Sequence, residues 1–156
     1  MVHYQWQIYL NIKPLWPLLK LPRDLNFLYL NNMTNTNEFW GYHLILDCHA
    51  CDVPSIQSQE NVYNWIKNLV KDIDMEPIGE PRIEYTAAEF PDKAGFTAIQ
   101  VIVTSSIVAH FIDSTGDVYI DVFSCKPFDN DIVVGTIKNA FLPKKIRTNF
   151  LTRQAG

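Results

Sequence analysis

The chain has 156 residues, 47% of them hydrophobic and 19% charged, and a formal net charge of −4. This composition is typical of one folded domain and excludes an intrinsically disordered chain. The acidic balance argues against nucleic-acid binding, which needs a basic face to neutralise phosphates. No apolar run reaches the roughly 20 residues of a membrane span. Three cysteines are an odd number and do not make a disulfide framework, so we expect a reduced, cytoplasmic protein.

The first 32 residues form an N-terminal extension of doubtful status. They are rich in Leu, Trp, Tyr and Pro, but they lack the charged start, apolar middle and cleavage site of a signal peptide. Met33 begins a polar lead into the first strand-like run. We therefore interpret residues 33–156 as a single domain and expect Met33 to be the true start. The alternative for residues 1–32 is a short docking element.

Hydrophobic patterns predict six strands and two helices. Apolar runs bounded by turn residues indicate strands at residues 39–48, 82–86, 96–103, 107–112, 118–124 and 144–151. Apolar residues at three-and-four spacing predict a helix over 59–74, with Ser58 as its N-cap. A second helix opens at 129–131 and ends before Pro143. We interpret residues 53–55 as a connection, because a proline disfavours helix in its predecessor, and residues 114–117 as a tight turn.

This order of elements favours an α+β fold, a two-layer sandwich in which two helices cover one face of a mainly antiparallel sheet. The last strand carries several charges, which is typical of a sheet edge. The other face of the sheet also carries apolar side chains, and one helix layer cannot cover both faces. We therefore expect a homodimer or a higher homo-oligomer.

Three chemically capable side chains follow one another near strand ends. Ser105 and Ser106 lie between two apolar runs, His110 follows Ser105 by five residues, and Cys125 ends the next strand-like run. A hydroxyl, an imidazole and a thiol are the usual parts of nucleophilic and acid–base catalysis. Taken singly, they also fit an ordinary turn, a hydrogen-bonded strand histidine and a small buried cysteine.

Residues 40–140 resemble the prokaryotic-type S-adenosylmethionine decarboxylase proenzymes, which are pyruvoyl-dependent. Residues 41–52 resemble the opening strand of that family, Gly-x-His-Leu followed by apolar residues and a Cys-Asp pair. Residues 121–125 resemble its Asp-Val-Phe-Thr-Cys. The self-cleaving serine of the family aligns with Ser105, its active-site histidine with His110 and its catalytic cysteine with Cys125, at matching spacings.

The resemblance implies that the chain cleaves itself between Thr104 and Ser105. The Ser105 hydroxyl would attack the Thr104 carbonyl, and elimination from the resulting ester would leave Ser105 as a pyruvoyl cofactor. His110 would be the base, brought beside Ser105 by a turn and return of the chain, and Thr97 aligns with a family serine that supports processing. Cys125 would be the general acid in turnover. The implied substrate is S-adenosylmethionine and its product supplies polyamine (spermidine) synthesis.

Several positions depart from the family. It usually has glutamate at the position of Thr104, histidine at that of Ser106 and Thr-Trp-Pro-Glu at residues 111–114. That last glutamate is tied to the ribose hydroxyls of the substrate, and Asp113, with Ser114, is the expected replacement. Two alternatives stay open: a pyruvoyl-dependent arginine or ornithine decarboxylase, and a non-catalytic relative acting as a binding or partner subunit.

Two further features favour structural interpretations. Cys48 and Cys51 have the Cys-x-x-Cys spacing of redox and zinc sites, but the sequence has no second ligand pair, so we expect no metal. His43 is expected to pack or hydrogen-bond within its strand.

Overall fold

The computed structural model describes residues 39–156; the extension assigned to residues 1–32 lies outside them. The described strands are β1 (Gly41–His49), β2 (Arg82–Thr86), β3 (Gly95–Ile102), β4 (Ser105–Ile112), β5 (Asp117–Ser124) and β6 (Lys145–Arg153). The described helices are α1 (Val53–Ile56), α2 (Gln59–Asp72) and α3 (Asn130–Phe141).

The six strands form one sheet in the order β2-β3-β4-β5-β1-β6, and all the strand pairings are antiparallel. Strands β2 to β5 follow one another as neighbours, and β1 lies between β5 and β6. The predicted α+β sandwich with a mainly antiparallel sheet is confirmed, and β6 lies at the sheet edge as its charges indicated. Within residues 39–156, no helix has the length and apolar character needed to cross a membrane.

One face of the sheet packs against α2 and α3. Alternate residues of the strands point to this face and are buried, as the two-residue period of a strand requires. Trp65 of α2 fills the centre of the helix layer, edge-on to Phe111 of β4 at 6.1 Å and to Phe141 of α3 at 5.1 Å. The predicted N-cap is confirmed, because the Ser58 hydroxyl accepts the Asn61 N–H at 3.2 Å.

The expected connection at residues 53–55 is instead the short helix α1. Asp52 caps it by accepting the Ser55 N–H at 3.0 Å. Pro54 lies in the first turn of α1, where a backbone N–H has no partner within the helix, so the missing N–H of proline costs nothing there. The helix can therefore begin at Val53 although proline disfavours helix in the residue before it. A second boundary also differs: β4 begins at Ser105 rather than at residue 107, so both serines of the hydroxyl pair belong to the strand.

The face of the sheet away from the helices is open in the single chain. Its strands carry several large apolar side chains that are exposed, namely Ile99 (39%), Val101 (48%), Tyr119 (45%) and Leu151 (47%). Exposed apolar groups on the same sheet face are typical of an interface. The homo-oligomer expected from the sequence stays a prediction.

Candidate active site

Ser105 and Cys125 meet at the tip of the β3–β4 hairpin. Val103 and Thr104 make a two-residue turn, and Ile102 pairs with Ser105 across it. The Ser105 Oγ accepts the backbone N–H of Cys125 at 2.9 Å. The Cys125 thiol donates to the Thr104 carbonyl oxygen at 3.3 Å. Both groups expected to react, the Ser105 hydroxyl and the Thr104 carbonyl, are therefore held by one residue.

A backbone segment between α2 and β2 runs beside β3 at the tip end of this hairpin. The Val103 N–H donates to the carbonyl oxygen of Glu76 at 2.9 Å, and the Ile78 N–H donates to that of Val101 at 2.8 Å. Pro77 forms an isolated bridge with Ile102 between these bonds. We call this segment, residues 74–78, the strap. It fixes the strand that leads into the Thr104–Ser105 peptide bond.

The strap is also tied to the residue after Cys125. The Lys126 Nζ donates to the carbonyl oxygen of Asp74 at 2.7 Å and forms an ion pair with its carboxylate. Asp74 has a φ of 55°, a left-handed conformation that aspartate tolerates better than most residues. The hydrogen bond from Lys126 lowers the pKa of the Asp74 carboxyl group. One short segment thus anchors the chain on both sides of the Ser105–Cys125 contact.

His110 lies elsewhere on the sheet, and the expectation that a turn and return brings it beside Ser105 is wrong. Both residues belong to the continuous strand β4. Five residues of extended chain separate them by about 16 Å. Because five is an odd number, their side chains also point to opposite faces. His110 lies on the open face, whereas Ser105 shares the alternation of the buried residues Ile107 and Ala109.

The structure does place His110 beside Thr97, the residue expected to support processing. The two residues pair across β3 and β4, and Thr97 Oγ1 lies 3.1 Å from His110 Nδ1. A second hydroxyl continues this contact, since Thr86 Oγ1 of β2 lies 3.0 Å from Thr97 Oγ1. His110 therefore belongs to a hydroxyl chain that runs across three strands.

Asp113, expected to bind substrate, is engaged in a different contact. It lies in the turn after β4, eight residues beyond Ser105, which corresponds to about 26 Å of extended chain. One carboxylate oxygen accepts the Tyr85 hydroxyl at 2.9 Å, and the other is buried without a hydrogen-bond partner among residues 39–156. This hydrogen bond raises the pKa of Tyr85. Ser114 is exposed in the same turn. Within one chain, neither residue approaches Ser105.

The Cys-x-x-Cys pair is buried in the core. Cys48 and Cys51 are 2% and 5% exposed. Burial is the main cause that raises the pKa of Cys48 to about 12 and that of Cys51 to about 11. Cys51 and Asp47 add smaller contributions for Cys48, and Asp117 adds one for Cys51. Such thiols are poor nucleophiles at neutral pH. Among residues 39–156, no group of three His, Cys, Asp or Glu side chains could hold a metal ion.

His43 hydrogen-bonds as its strand position indicated, although its partner comes from a neighbouring strand. Its Nε2 lies 2.8 Å from the Asp121 carboxylate of β5, and its ring packs edge-on against Phe123 at 5.8 Å. These contacts lie on the open face, in the pairing between β1 and β5.

Sequence reasoning missed the residues that hold the site in place. Thr86, Glu76 and Lys126 carry no motif, and each reaches the site through pairing between segments that are distant in sequence. The only local signal was the positive charge of Lys126 directly after Cys125. The sequence does not show that this charge pairs with Asp74.

Comparisons with known proteins identify the family of this chain. The sequence model of a family described as S-adenosylmethionine decarboxylase matches residues 42–154. A protein named S-adenosylmethionine decarboxylase proenzyme, from Clostridium botulinum strain Langeland / NCTC 10281 / Type F, is 24% identical over 117 residues, which cover 74% of this chain and 96% of the relative. The protein of the same name from strain Loch Maree / Type A3 is 25% identical with the same coverage.

A solved structure shares the fold. The crystal structure of the adenosylmethionine decarboxylase from Aquifex aeolicus VF5 superposes with a TM-score of 0.63 at 19% identity, covering 76% of this chain and 93% of that chain. The family match spans well over half of the residues printed above. This chain therefore belongs to the S-adenosylmethionine decarboxylase family, a family of carboxy-lyases.

Proposed function

We propose that this chain is a self-cleaving, pyruvoyl-dependent decarboxylase of S-adenosylmethionine. The observation that carries the proposal is the hairpin tip, where Cys125 contacts both the Ser105 hydroxyl and the Thr104 carbonyl. A hydroxyl next to the carbonyl of the preceding residue is the starting point for breaking that peptide bond. The names of the relatives, which describe S-adenosylmethionine decarboxylase proenzymes, support both the reaction and its self-processing.

The first step follows from the atoms at the tip. The Ser105 Oγ attacks the Thr104 carbonyl carbon while a base takes the hydroxyl proton. Negative charge develops on the carbonyl oxygen, and the Cys125 thiol donates to that atom. The Thr104–Ser105 amide then becomes an ester, with the nitrogen released as an amine. A single donor of this kind is worth about 10²–10³-fold in rate in other enzymes.

The second step breaks the chain. A base takes the Ser105 α-proton, which expels the Thr104 carboxylate, so the fragment that ends at Thr104 leaves with an ordinary C-terminus. The dehydrated residue 105 exchanges its nitrogen for oxygen from water, releases ammonia and becomes the pyruvoyl cap of residues 105–156. The residues at the tip fit this group, because it is built from Ser105 itself and needs no separate binding pocket.

The base has to come from a second copy of the chain if it is His110. Within one chain the imidazole lies about 16 Å along β4 from Ser105. The open sheet face carries His110 together with exposed Ile99, Val101 and Tyr119. We infer that two copies pair through this face and that each hairpin tip, where Ser105 is only half-buried, reaches around the end of its own sheet to the His110 of the other copy. The homodimer is therefore part of the proposed mechanism, in a domain that comprises residues 33–156 and works in the cytoplasm.

During turnover, the pyruvoyl group would supply a keto function that binds the substrate amine and accepts the electrons released with carbon dioxide. Cys125 holds the proton that the product carbon requires, at the same tip. A thiol is a weak acid and can donate a proton to a carbanionic carbon. The product would be decarboxylated S-adenosylmethionine, the aminopropyl donor for spermidine synthesis.

Intact-mass measurement of the purified protein tests self-cleavage. The parent chain should give two fragments, the C-terminal one starting with a blocked residue 105, and Ser105→Ala should stay one chain. Ser106→Ala is the matched control, because it removes the adjacent hydroxyl and should still cleave at the same bond. A parent chain that stays intact would favour the non-catalytic alternative.

The substrate needs a separate measurement because Asp113 contacts Tyr85 rather than open space. Asp113, the residue expected to bind the ribose of the substrate, is hydrogen-bonded to Tyr85 instead. Arginine or ornithine therefore stays the alternative substrate. Release of labelled carbon dioxide should be fast with S-adenosylmethionine and absent with arginine and ornithine. The reverse pattern would keep the cofactor and replace the substrate.

A further inference from the structure

A chain of three hydrogen bonds leads from His110 to the backbone of β3. His110 Nδ1 lies 3.1 Å from Thr97 Oγ1, and Thr97 Oγ1 lies 3.0 Å from Thr86 Oγ1. The Thr86 hydroxyl in turn donates to the carbonyl oxygen of Gly95 at 3.3 Å. Strand register produces this line, since Thr86 pairs with Gly95 and Thr97 pairs with His110.

Only one arrangement of protons satisfies all three contacts at once. A carbonyl oxygen accepts and never donates, so Thr86 places its single hydroxyl proton on Gly95. The contact between the two threonines then uses the proton of Thr97. The Thr97 hydroxyl has then used its only proton and can only accept a hydrogen bond from His110. The imidazole therefore donates to Thr97 through Nδ1–H. In this arrangement, Nε2 of a neutral His110 ring carries no hydrogen and keeps a lone pair.

The anchor of the chain is fixed by the backbone. Gly95 has a φ of 154°, and a Cβ there would lie 1.9 Å from the carbonyl oxygen of Phe111. No residue with a side chain fits this close approach between β3 and β4. The Gly95 backbone therefore lies close against the strand that carries His110, and its carbonyl oxygen accepts from Thr86.

We propose that Thr86 is a positioning residue that sets the tautomer of His110, holding hydrogen on Nδ1 and leaving Nε2 ready to take a proton. The inference rests on the proposed function, in which His110 is the base for the Ser105 hydroxyl. Thr86 does not touch the reacting atoms and acts only through Thr97. The hydrogen of a neutral imidazole otherwise exchanges between its two nitrogens, and the bond made by one nitrogen decides the state of the other.

The tautomer can be measured directly, whether or not the chain cleaves. Ring ¹⁵N chemical shifts of His110 are recorded in Ser105→Ala, which stays intact, at a pH where titration of the same signals shows the neutral ring. Thr86→Val keeps the size of the side chain and removes its hydroxyl, and Thr86→Ser keeps the hydroxyl. His110→Gln identifies the signals, and His43, bonded to Asp121, is the internal reference.

In the Ser105→Ala background, the Nδ1–H form should predominate with Thr86 and with Thr86→Ser. Thr86→Val should lower the ratio of Nδ1–H to Nε2–H at least about threefold. An unchanged ratio in Thr86→Val overturns the proposal. Because residue 86 is exposed at the end of β2, both variants are expected to fold.

The cleavage rate tests what the tautomer does. With Ser105 present, Thr86→Val should cleave about tenfold more slowly than the parent, and Thr86→Ser within about twofold of it, because a positioned base contributes about 10²–10⁴-fold and only its orientation is weakened. A shifted tautomer with an unchanged rate refutes the link between Thr86 and the base. A parent chain that does not cleave counts against the proposed function, and the tautomer ratio still decides the role of Thr86.

Discussion

The hairpin tip and the open sheet face each hold one half of the proposed chemistry, and they are built differently. At the tip, Cys125 contacts Ser105 and the Thr104 carbonyl within one chain, and the strap holds both sides of that contact. On the open face, His110 ends a hydroxyl chain and points away from the helix layer. Each chain thus carries a prepared nucleophile and a prepared base about 16 Å apart along β4. This difference is the basis of the proposal that two copies together complete the site.

Mixing two inactive variants gives the largest expected effect. Ser105→Ala keeps the base and His110→Ala keeps the nucleophile, so neither should cleave when produced alone. Produced together with different tags, they should form mixed dimers in which the His110→Ala chain is cleaved. With equal amounts and random pairing, about half of the His110→Ala chains should be cut. Intact mass of each tagged chain measures the outcome.

The matched control replaces Ser105→Ala by the double variant Ser105→Ala/His110→Ala, which should abolish cleavage in the mixture. If the base acted within its own chain, the first mixture would also stay intact. Cleavage of the His110→Ala chain alone, without a partner, would instead remove His110 from the base role.

Cys125 is expected to act in both stages, and substitutions separate them. Cys125→Ala keeps the backbone N–H on Ser105 but removes the donor to the Thr104 carbonyl. Because a thiol is a weak donor, self-cleavage should slow only about tenfold, less than the 10²–10³-fold of stronger oxyanion donors. Cys125→Ser restores a donor and should cleave nearly as fast as the parent. Both cleaved variants should lose at least about 100-fold in decarboxylation, because a serine hydroxyl is a much weaker acid than a thiol.

The two rates are measured on the same preparations, by mass for cleavage and by carbon dioxide release for turnover. Parental cleavage by Cys125→Ala would mean that the thiol does not stabilise the attacked carbonyl. Parental turnover by Cys125→Ser would mean that another group protonates the product.

The sequence predicted most of the fold because the fold depends on short-range patterns. Apolar periodicity located six strands and two helices, and Ser58 marked the start of α2. The short helix α1 was missed because Pro54 disfavours helix in general but is tolerated in a first turn. The Asp52 cap, which overrides that preference, has no strong signal apart from the helix itself.

The site was predicted only in part, because its contacts depend on strand pairing between distant segments and not on short-range patterns. Spacing along the chain named Ser105, His110 and Cys125, but it could not say that β4 runs straight between the first two. Strand register decides which residues face each other across a sheet, and register is set by the whole core rather than by local sequence. That is why the resemblance named Thr97 as a processing residue without placing it opposite His110, and why Thr86 was not found.

Lys126 offers the smallest and most specific test of the tip. Lys126→Met removes the contact between the strap and the residue after Cys125. The Cys125 thiol should then contact the Thr104 carbonyl less often, and its backbone N–H should contact the Ser105 hydroxyl less often. Small misplacements of reacting groups slow reactions strongly, but Glu76 still holds Val103. Self-cleavage should therefore slow only about threefold to fivefold, while Lys126→Arg stays close to the parent. Cleavage time courses followed by mass measure the rates.

Lys67→Met is the matched control for this effect. Lys67 forms an exposed ion pair with Glu80 at 2.8 Å, comparable to that of Lys126 with Asp74, but neither member of that pair contacts the hairpin. Exposed ion pairs contribute little to stability, so both variants should unfold at nearly the parental temperature. Only Lys126→Met should slow cleavage. Equal slowing by both variants would mean that surface charge, and not the strap, governs the tip.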